Sequence, residues 1–287
     1  MPLSNALGEY LRARRGLVSP GDVGLVATGR RRTPGLRREE VATLAGISAD
    51  YYLRLEQGRD RNPSTQVLEA IARVLQLDGT ATRFLLGLAA PRTASPHRPR
   101  REAVPVGVRQ LLDVIGLPAY VENRTFDVLA ANRLATAISP RIVPGANRLR
   151  TILLDPDEQD LHPDWEQLVP AMVAAFRTSL GTDTDDPHTS RLVGDLSLAS
   201  ERFRTLWARH DVRSFSGAPV RLRHPEVGLM ELRREKLLVS GTAGQILVVH
   251  HAEPGTDSAR SLALLGSLAA TAATAATAPT EDDVSSR

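Results

Sequence analysis

The chain has 287 residues, of which 42% are apolar and 24% charged, a composition typical of folded globular domains. Its length predicts two domains. Cysteine is absent, which excludes disulfides, thiolate metal sites, iron–sulfur clusters and cysteine nucleophiles. No apolar run approaches the ~20 residues that cross a bilayer, and the first residues lack the pattern of a secretory signal. We therefore expect a cytoplasmic protein with no membrane partner.

The net charge of +3 is unevenly distributed along the chain. Residues 1–102 hold 17 basic and 10 acidic residues, whereas residues 103–287 hold 19 basic and 23 acidic residues. A basic segment joined to a mildly acidic one indicates that the first part meets a polyanion. Every basic residue except Lys236 is arginine, which is typical of a compositional bias. The position of each arginine is therefore more informative than their number.

The first ninety residues predict five short helices punctuated by glycine and proline. Ser4 can cap the first helix, and a loop over residues 17–35 follows it. Residues Leu68, Ile71, Ala72 and Leu75 form an apolar stripe on the fourth helix. The expected helices, in chain order, are Ser4–Gly16, Arg37–Ala45 and Ala49–Gln57, then one from about Ser64 and one from about Gly79.

The most informative stretch is residues 38–56, REEVATLAGISADYYLRLE. Small Ala42 permits two helices to approach closely, and Gly46 can take the left-handed conformation that a sharp turn needs. This pattern predicts a helix-turn-helix, whose second helix enters the DNA major groove; the alternative is a helical hairpin with no DNA partner. The offsets resemble the Xre/Cro-type helix-turn-helix over residues 5–88. The side chains spaced to fill the wedge between the helices are Val41, Ala45, Ile47, Tyr52 and Leu55.

Base reading is expected from the start of the third helix, where outward side chains reach base edges. Arg54 can bind guanine through two hydrogen bonds, and Leu53 or Ala49 can touch a thymine methyl group. Asp50 can accept from a cytosine amino group or, alternatively, act as a first-turn partner of the helix dipole. Tyr51 remains open between core and DNA. The predicted base-reading set is Ser48, Ala49, Asp50, Leu53 and Arg54.

A second set of side chains is expected to contact DNA phosphates and to position the protein without reading sequence. Two arginine clusters flank the helix-turn-helix, and the alternative for each cluster is a solvated surface. Arg38 begins the second helix, where this fold commonly meets a phosphate. The predicted phosphate contacts are Arg31, Arg32, Arg37, Arg38, Arg59, Arg61 and Thr65.

A second domain is expected after a linker. Residues 91–105 hold four prolines and four arginines, which predicts a semi-extended tether that can add phosphate contacts. Residues 106–270 predict a helix, a β-hairpin turning at Asn123 and Arg124, several helices, a returning set of strands and a last helix. This order predicts an α+β domain with an antiparallel sheet, as in the PAS-like sensor fold. The expected late strands are 212–215, 219–224, 229–239 and 245–252, and residues 271–287 form an expected disordered tail.

A closer resemblance covers almost the whole chain. Its first part lies in RRRTPGLRREEVA, from Arg30, and in YYLRLEQGR, from Tyr51. Its second part lies in PAYV, VLAAN, WARHDV and RHPEVG, which begin at Pro118, Val128, Trp207 and Arg223. Together these motifs resemble the MmyB-like transcription regulators. The resemblance implies an Xre-type domain joined to a PAS-like domain that binds a fatty-acid-like or similarly apolar small molecule.

Candidate ligand contacts are found in the second domain. Trp207 can pack against an apolar ligand, with His210 or Arg213 pairing a carboxylate. The alternative is a folding motif, with Trp207 in the core and Asp211 capping or pairing. The predicted pocket set is Tyr120, Asn132, Trp207, His210 and Arg213.

Catalysis, metal binding and a cofactor are not predicted. His250 and His251 are neighbours on a strand and point to opposite faces, so they cannot share a metal. Asp155, Asp157 and Asp160 lack the glycine that a calcium loop requires. No GxSxG, HExxH, Walker A or GxGxxG motif occurs in the chain.

The sequence therefore predicts a sequence-specific regulator whose partners are a double-stranded DNA operator and an apolar small molecule. A homodimer on a pseudo-palindrome is expected, because one recognition helix reads few base pairs. Two alternatives remain for the second domain: a scaffold that only dimerises or recruits, and an enzyme that turns over the small molecule.

Overall fold

The computed structural model describes residues 5–26, 35–60, 62–90, 102–181, 186–214 and 217–277. Within them the helices, in chain order, are α1 Ala6–Leu17, α2 Arg38–Ala45, α3 Ala49–Glu56, α4 Thr65–Val74, α5 Gly79–Ala89, α6 Val106–Val114, α7 Arg133–Ile138, α8 Arg148–Leu154, α9 Pro156–Leu161, α10 Trp165–Leu180, α11 Pro187–Ala199, α12 Glu201–Ala208 and α13 Asp257–Thr277. The strands are β1 Ala119–Glu122, β2 Val128–Ala131, β3 Ala218–His224, β4 Gly228–Leu238 and β5 Ile246–His251. A short 3₁₀ helix, Pro20–Val23, follows α1.

The chain divides into two compact units. Unit 1 contains Met1–Arg98 and Gln167–Phe215, and unit 2 contains Pro99–Glu166 and Ser216–Arg287. Most of α10, together with α11 and α12, therefore belongs to the same unit as the N-terminal helices.

The predicted all-α helix-turn-helix domain is confirmed by α1 to α5. A side chain caps α1, α3, α4 and α5 by accepting a hydrogen bond from a first-turn N–H. Asn5 caps α1, whereas the expected cap, Ser4, lies outside the described residues. Ser48 caps α3 as predicted, with 3.1 Å between its Oγ and the nitrogen of Tyr51. The stripe predicted on α4 is buried, at 0–3% exposure for Leu68, Ile71, Ala72 and Leu75.

Two glycines shape the helix-turn-helix. Gly46 has φ +69° and ends α2 in the left-handed conformation, and the N–H of Ile47 bonds the carbonyl of Ala42 at 3.0 Å. Gly8 lies where α1 crosses the end of α3, and an added Cβ would stand 2.1 Å from the carbonyl oxygen of Glu56. The absence of a side chain at Gly8 therefore permits the close contact that fixes α3.

The strand predicted at 212–215 is wrong over the described residues 212–214, which are irregular. His210 has φ +53° and turns the chain after α12. Val212 then packs against the core of the N-terminal helices, and the N–H of Arg213 donates to the hydroxyl of Thr178 at 3.1 Å. This packing and the single bond to a side chain take the place of the main-chain pairing that a strand would need.

The predicted α+β domain is confirmed by unit 2, whose described strands form a five-stranded antiparallel sheet in the order β2-β1-β5-β4-β3. The hairpin β1–β2 turns at Asn123, whose side-chain oxygen accepts from the N–H groups of Thr125 and Asp127. Helices α7, α8 and α9 follow the hairpin. The sequence predicts helices near residues 132–138 and 147–154, which correspond to α7 and α8, but none at α9. No helix in the described part of the chain has the length and apolar composition that a membrane crossing requires.

The last helix is longer than predicted. α13 continues to Thr277, seven residues into the segment expected to be disordered, and residues 278–287 lie outside the described part. The extension is rich in alanine, which has the highest intrinsic helix propensity.

Candidate DNA-binding face and ligand pocket

The start of α3 presents one exposed polar face. Ser48, Ala49, Asp50 and Arg54 are exposed and Leu53 is half-buried, so the structure brings the predicted base-reading set together. The opposite face of α3 carries Tyr52, Leu55 and Glu56, each of which is 0% exposed. Because its inner face is fixed in the core, α3 presents the outer face in one orientation.

Arg54 already has partners on this face. Its guanidinium forms an ion pair with Asp50, one helical turn earlier, and lies 5.6 Å from the centre of the Tyr51 ring. Tyr51 itself is half-buried against the core. If Arg54 contacts a DNA base, its hydrogen bonds to the base therefore either replace the ion pair with Asp50 or form beside it.

A buried carboxylate holds the inner end of α3. Glu56 accepts from Arg15 Nε and from Arg38 Nε, at 2.7 Å in each case. Burial by itself would raise the pKa of Glu56, but the hydrogen bonds and charges of the two guanidinium groups hold that pKa below its ordinary value. Asn5 also donates to the backbone carbonyl of Glu56 at 2.7 Å. These contacts join α3 to both α1 and α2.

The predicted phosphate contacts fall into three groups. Arg37, Arg59 and Thr65 are exposed. The side chain of Arg38 is 41% exposed although its Nε binds Glu56, so it is held by the core and still reaches the surface. The remaining three predicted residues, Arg31, Arg32 and Arg61, lie outside the described residues.

A half-open cavity of about 370 Å³ lies within unit 1. Its walls come from α1, α5, α10, α11 and α12. Apolar and polar side chains both contribute to the wall, and the polar ones are Glu9, Tyr10, Arg177, Thr189, Ser190 and His210. The apolar side chains of the wall are Ala6, Phe84, Leu88, Leu180 and Val193, and Trp207 lies beside Arg177.

Arg177 is the buried charge of this cavity, at 6% exposure. It donates to the carbonyl of Trp207, lies 3.1 Å from His210 Nδ1, and stacks with its guanidinium carbon 3.7 Å from the centre of the Trp207 ring. Burial lowers the pKa of Arg177 to about 10. Burial and the neighbouring Arg177 lower the pKa of His210 to about 4, so the imidazole is neutral at pH 7 and can accept from Arg177.

The five residues predicted to form one pocket are not all brought together. Trp207 and His210 line the cavity of unit 1, while the side chain of Arg213 does not. Tyr120 and Asn132 belong to unit 2. Asn132 caps α7 and also accepts from the N–H of Ala119 and donates to the carbonyl of Leu117, so it braces the start of the domain. Tyr120 is buried, with its ring 6.2 Å from that of His250.

Arg177 was missed by sequence reasoning. The only available signal is that an arginine follows Phe176 in a long apolar stretch of α10. Asp211, for which pairing was one of the alternatives considered, forms ion pairs with Arg14 and with Arg209, the latter at 2.8 Å.

Unit 2 contains a buried ionic cluster of its own. Arg148 Nη2 lies 3.0 Å from Glu158, and Ser139 donates its hydroxyl to the same carboxylate. Although burial opposes ionisation, the nearby imidazole of His162, the charge of Arg148 and the hydroxyl of Ser139 lower the pKa of Glu158 to about 2. The described residues contain no group of three or more His, Asp or Glu side chains that could hold a metal ion.

Comparison with known families agrees with this geometry. Residues 6–85 match the model of a helix-turn-helix domain, so α1 to α5 form the DNA-binding head of the protein. Residues 104–265, more than half of the chain, match the model of the MmyB-like transcription regulator ligand binding domain. The chain belongs to the MmyB-like transcription regulators. A comparison with curated proteins gave no match.

Proposed function

We propose that this regulator binds a specific operator through the exposed face of α3 and that its family ligand-binding domain senses an apolar, fatty-acid-like small molecule. The proposal of DNA binding rests on one observation, which is that α3 has one buried face and one exposed face. Its inner face is locked by Tyr52, Leu55 and Glu56, while Asp50 and Arg54 point outward. A rigid helix with outward hydrogen-bonding groups is what major-groove reading requires.

The finer features follow from this role. Because one recognition helix reads few base pairs, a homodimer on a pseudo-palindromic site supplies the selectivity that a single head lacks. The head is Xre-type, and the order of unit 2, in which the hairpin β1–β2 is followed by a helical excursion and then by the meander β3–β5, supports a PAS-like sensor. The protein is a non-enzymatic, cytoplasmic regulator that shares a compartment with its DNA. A ligand that prefers one arrangement of the two heads shifts the population and alters operator affinity.

The variants Arg54→Ala and Arg59→Ala should weaken DNA binding in different ways. We expect Arg54→Ala to reduce the preference for operator over random DNA by roughly 1–3 kcal/mol, because a bidentate guanine contact is lost. Arg59→Ala should weaken binding to both DNAs alike and reduce the salt slope by about 1, as expected for one phosphate contact. Competition binding at several salt concentrations measures both quantities.

Arg38 is also predicted to contact a phosphate, but its replacement would also break the ion pair with Glu56. Arg59→Ala is therefore the better test of a phosphate contact. Arg191→Ala is the matched control, since it removes the same charge from the exposed surface of α11, outside the helix-turn-helix. Equal losses on operator and random DNA for both Arg54→Ala and Arg59→Ala would contradict the proposed division of roles.

Dimerisation and ligand binding can be read in one measurement. Native mass spectrometry of freshly purified protein should show the mass of two chains, with an additional mass that organic solvent extracts as an apolar compound. A one-chain species that still binds the complete operator would contradict the homodimer. A ligand-free protein that no apolar compound stabilises against heating would favour a scaffold role for the second domain.

A further inference from the structure

Arg177 is a buried cation that lacks a bonded counter-charge. Its hydrogen-bond partners are a neutral carbonyl, that of Trp207, and a neutral imidazole, that of His210. Among the residues that the structure describes, no carboxylate oxygen is paired with it. Burial of a charge is strongly unfavourable unless a partner of opposite sign compensates it. Such a group beside a cavity is suited to receive an anion.

Apolar side chains line part of the cavity beside the hydroxyl-bearing Tyr10, Thr189 and Ser190, and this apolar part fits the body of a ligand. Phe84 and Leu88 of α5 form one wall, and Val193 of α11 lies among the other lining residues. The volume of about 370 Å³ falls within the range of small-molecule sites, roughly 300–1,000 Å³. Glu9, an exposed acid of the lining, and Asp211 act on Arg177 through their charges, but neither forms a hydrogen bond with it in the described part of the chain. The negative end of a ligand is therefore favoured at the buried guanidinium.

We propose that this cavity binds a small molecule with one carboxylate and an apolar body, the carboxylate being held by Arg177 and the body by the apolar wall. The inference rests on the proposed sensing function and adds to it the residue that receives the carboxylate, Arg177, and the site within unit 1. A guanidinium can hold a carboxylate through two parallel hydrogen bonds, which fixes the orientation of the ligand.

The position of the cavity gives the ligand a direct route to the DNA-binding head. Ala6 and Phe84 belong to the segment that matches the helix-turn-helix model, whereas Arg177 and Trp207 belong to the segment that matches the ligand-binding model. A molecule that fills the cavity therefore contacts both segments at once. Its free energy of binding therefore depends on how the helices of the head are placed.

The probes are decanoate and 4-phenylbutanoate, each compared with the corresponding alcohol. Trp207 lies at the site and Trp165 is the other tryptophan of the chain, so Trp165→Phe leaves Trp207 as the single reporter. We expect a saturable change in Trp207 emission with at least one carboxylate, at a Kd at least tenfold below that of its alcohol. Equal affinity for acid and alcohol would overturn the proposal.

Two variants test the site, with calorimetry as the readout. Arg177→Met keeps an unbranched stem over Trp207 and removes the charge, and should weaken carboxylate binding at least tenfold with little effect on the alcohol. Val193→Phe narrows the cavity without touching the bonds of Arg177, so it tests the site even if Arg177→Met does not fold. Leu198→Phe is the control, since Leu198 lies on the same helix and is 88% exposed.

The outcomes separate this inference from the function on which it rests. Carboxylate binding that is unchanged in both Arg177→Met and Val193→Phe would overturn the site, while operator binding and sensing elsewhere in the protein would stand. Loss of binding in these two variants, with Leu198→Phe unchanged, would establish it. A wild-type protein that binds carboxylates but has no operator preference would instead contradict the proposed function.

Discussion

Replacing Glu56 by alanine is expected to destabilise the helix-turn-helix by about 3–5 kcal/mol, the typical effect of removing one partner from a buried ion pair. Glu56 is 0% exposed and binds two guanidinium groups, those of Arg15 and Arg38. Its loss leaves the half-buried charge of Arg15 without its carboxylate. Domains are stable by only about 5–15 kcal/mol, so a large fraction of that stability is removed.

The measurement is chemical denaturation followed by circular dichroism, together with operator binding. The midpoint for the helix-turn-helix should fall, and DNA binding should weaken at temperatures where the wild type is fully folded. Glu69→Ala is the control, since Glu69 is an exposed acid on α4 and its loss should change stability by less than about 0.5 kcal/mol. Similar stability of the two variants would show that the ion pairs at Glu56 contribute little.

The same carboxylate should make the head sensitive to acid. The guanidinium groups hold the folded-state pKa of Glu56 below its unfolded value, close to 4.3. Its contribution is therefore fully present above the unfolded pKa and is lost as the pH falls through the lower, folded-state pKa. Glu56→Gln should remove this part of the acid dependence, since an amide does not titrate.

The sequence predicted the helix-turn-helix closely because its signals are local. A serine cap, a glycine after the helix and an apolar stripe act within one or two turns, and Ser48 and Gly46 act as those rules expect. The start of α9 carried a comparable signal that was not used. Asp155 caps that helix and Pro156 occupies its first position, a standard helix start that was considered only as a metal loop.

The cavity could not be predicted in the same way. Arg177 and Phe84 are separated by more than ninety residues, and their meeting depends on which faces of α5 and α10 pack within unit 1. No local pattern encodes that choice. The strand expected at 212–215 and wrong over the described residues 212–214 has the same origin, since the turn at His210 and the bond from Arg213 to Thr178 depend on α10.

Glu158→Gln should destabilise the α+β domain by about 3–5 kcal/mol, because the variant leaves the guanidinium of Arg148 buried without a counter-charge. The two side chains are 2% and 6% exposed, respectively, and lie 3.0 Å apart. Thermal unfolding should show a lower Tm for unit 2, and Glu253→Gln, at an exposed acid, is the matched control. The double variant with Arg148→Met should recover part of the loss, since it removes the uncompensated charge.

The pH dependence of stability in acid gives a second, independent test of the Glu158–Arg148 pair. With the pKa of Glu158 lowered to about 2, the folded domain holds the carboxylate ionised at pH values where the unfolded chain, with a pKa near 4.3, has bound a proton. The stabilisation is therefore complete above pH ~5 and declines progressively as the pH falls toward 2, following the proton uptake of the unfolded state. The wild type should lose stability across this range, and Glu158→Gln should do so less steeply. Parallel acid profiles for the two proteins would mean that Glu158 is protonated in the fold, and the interior would then hold Arg148 through hydrogen bonds alone.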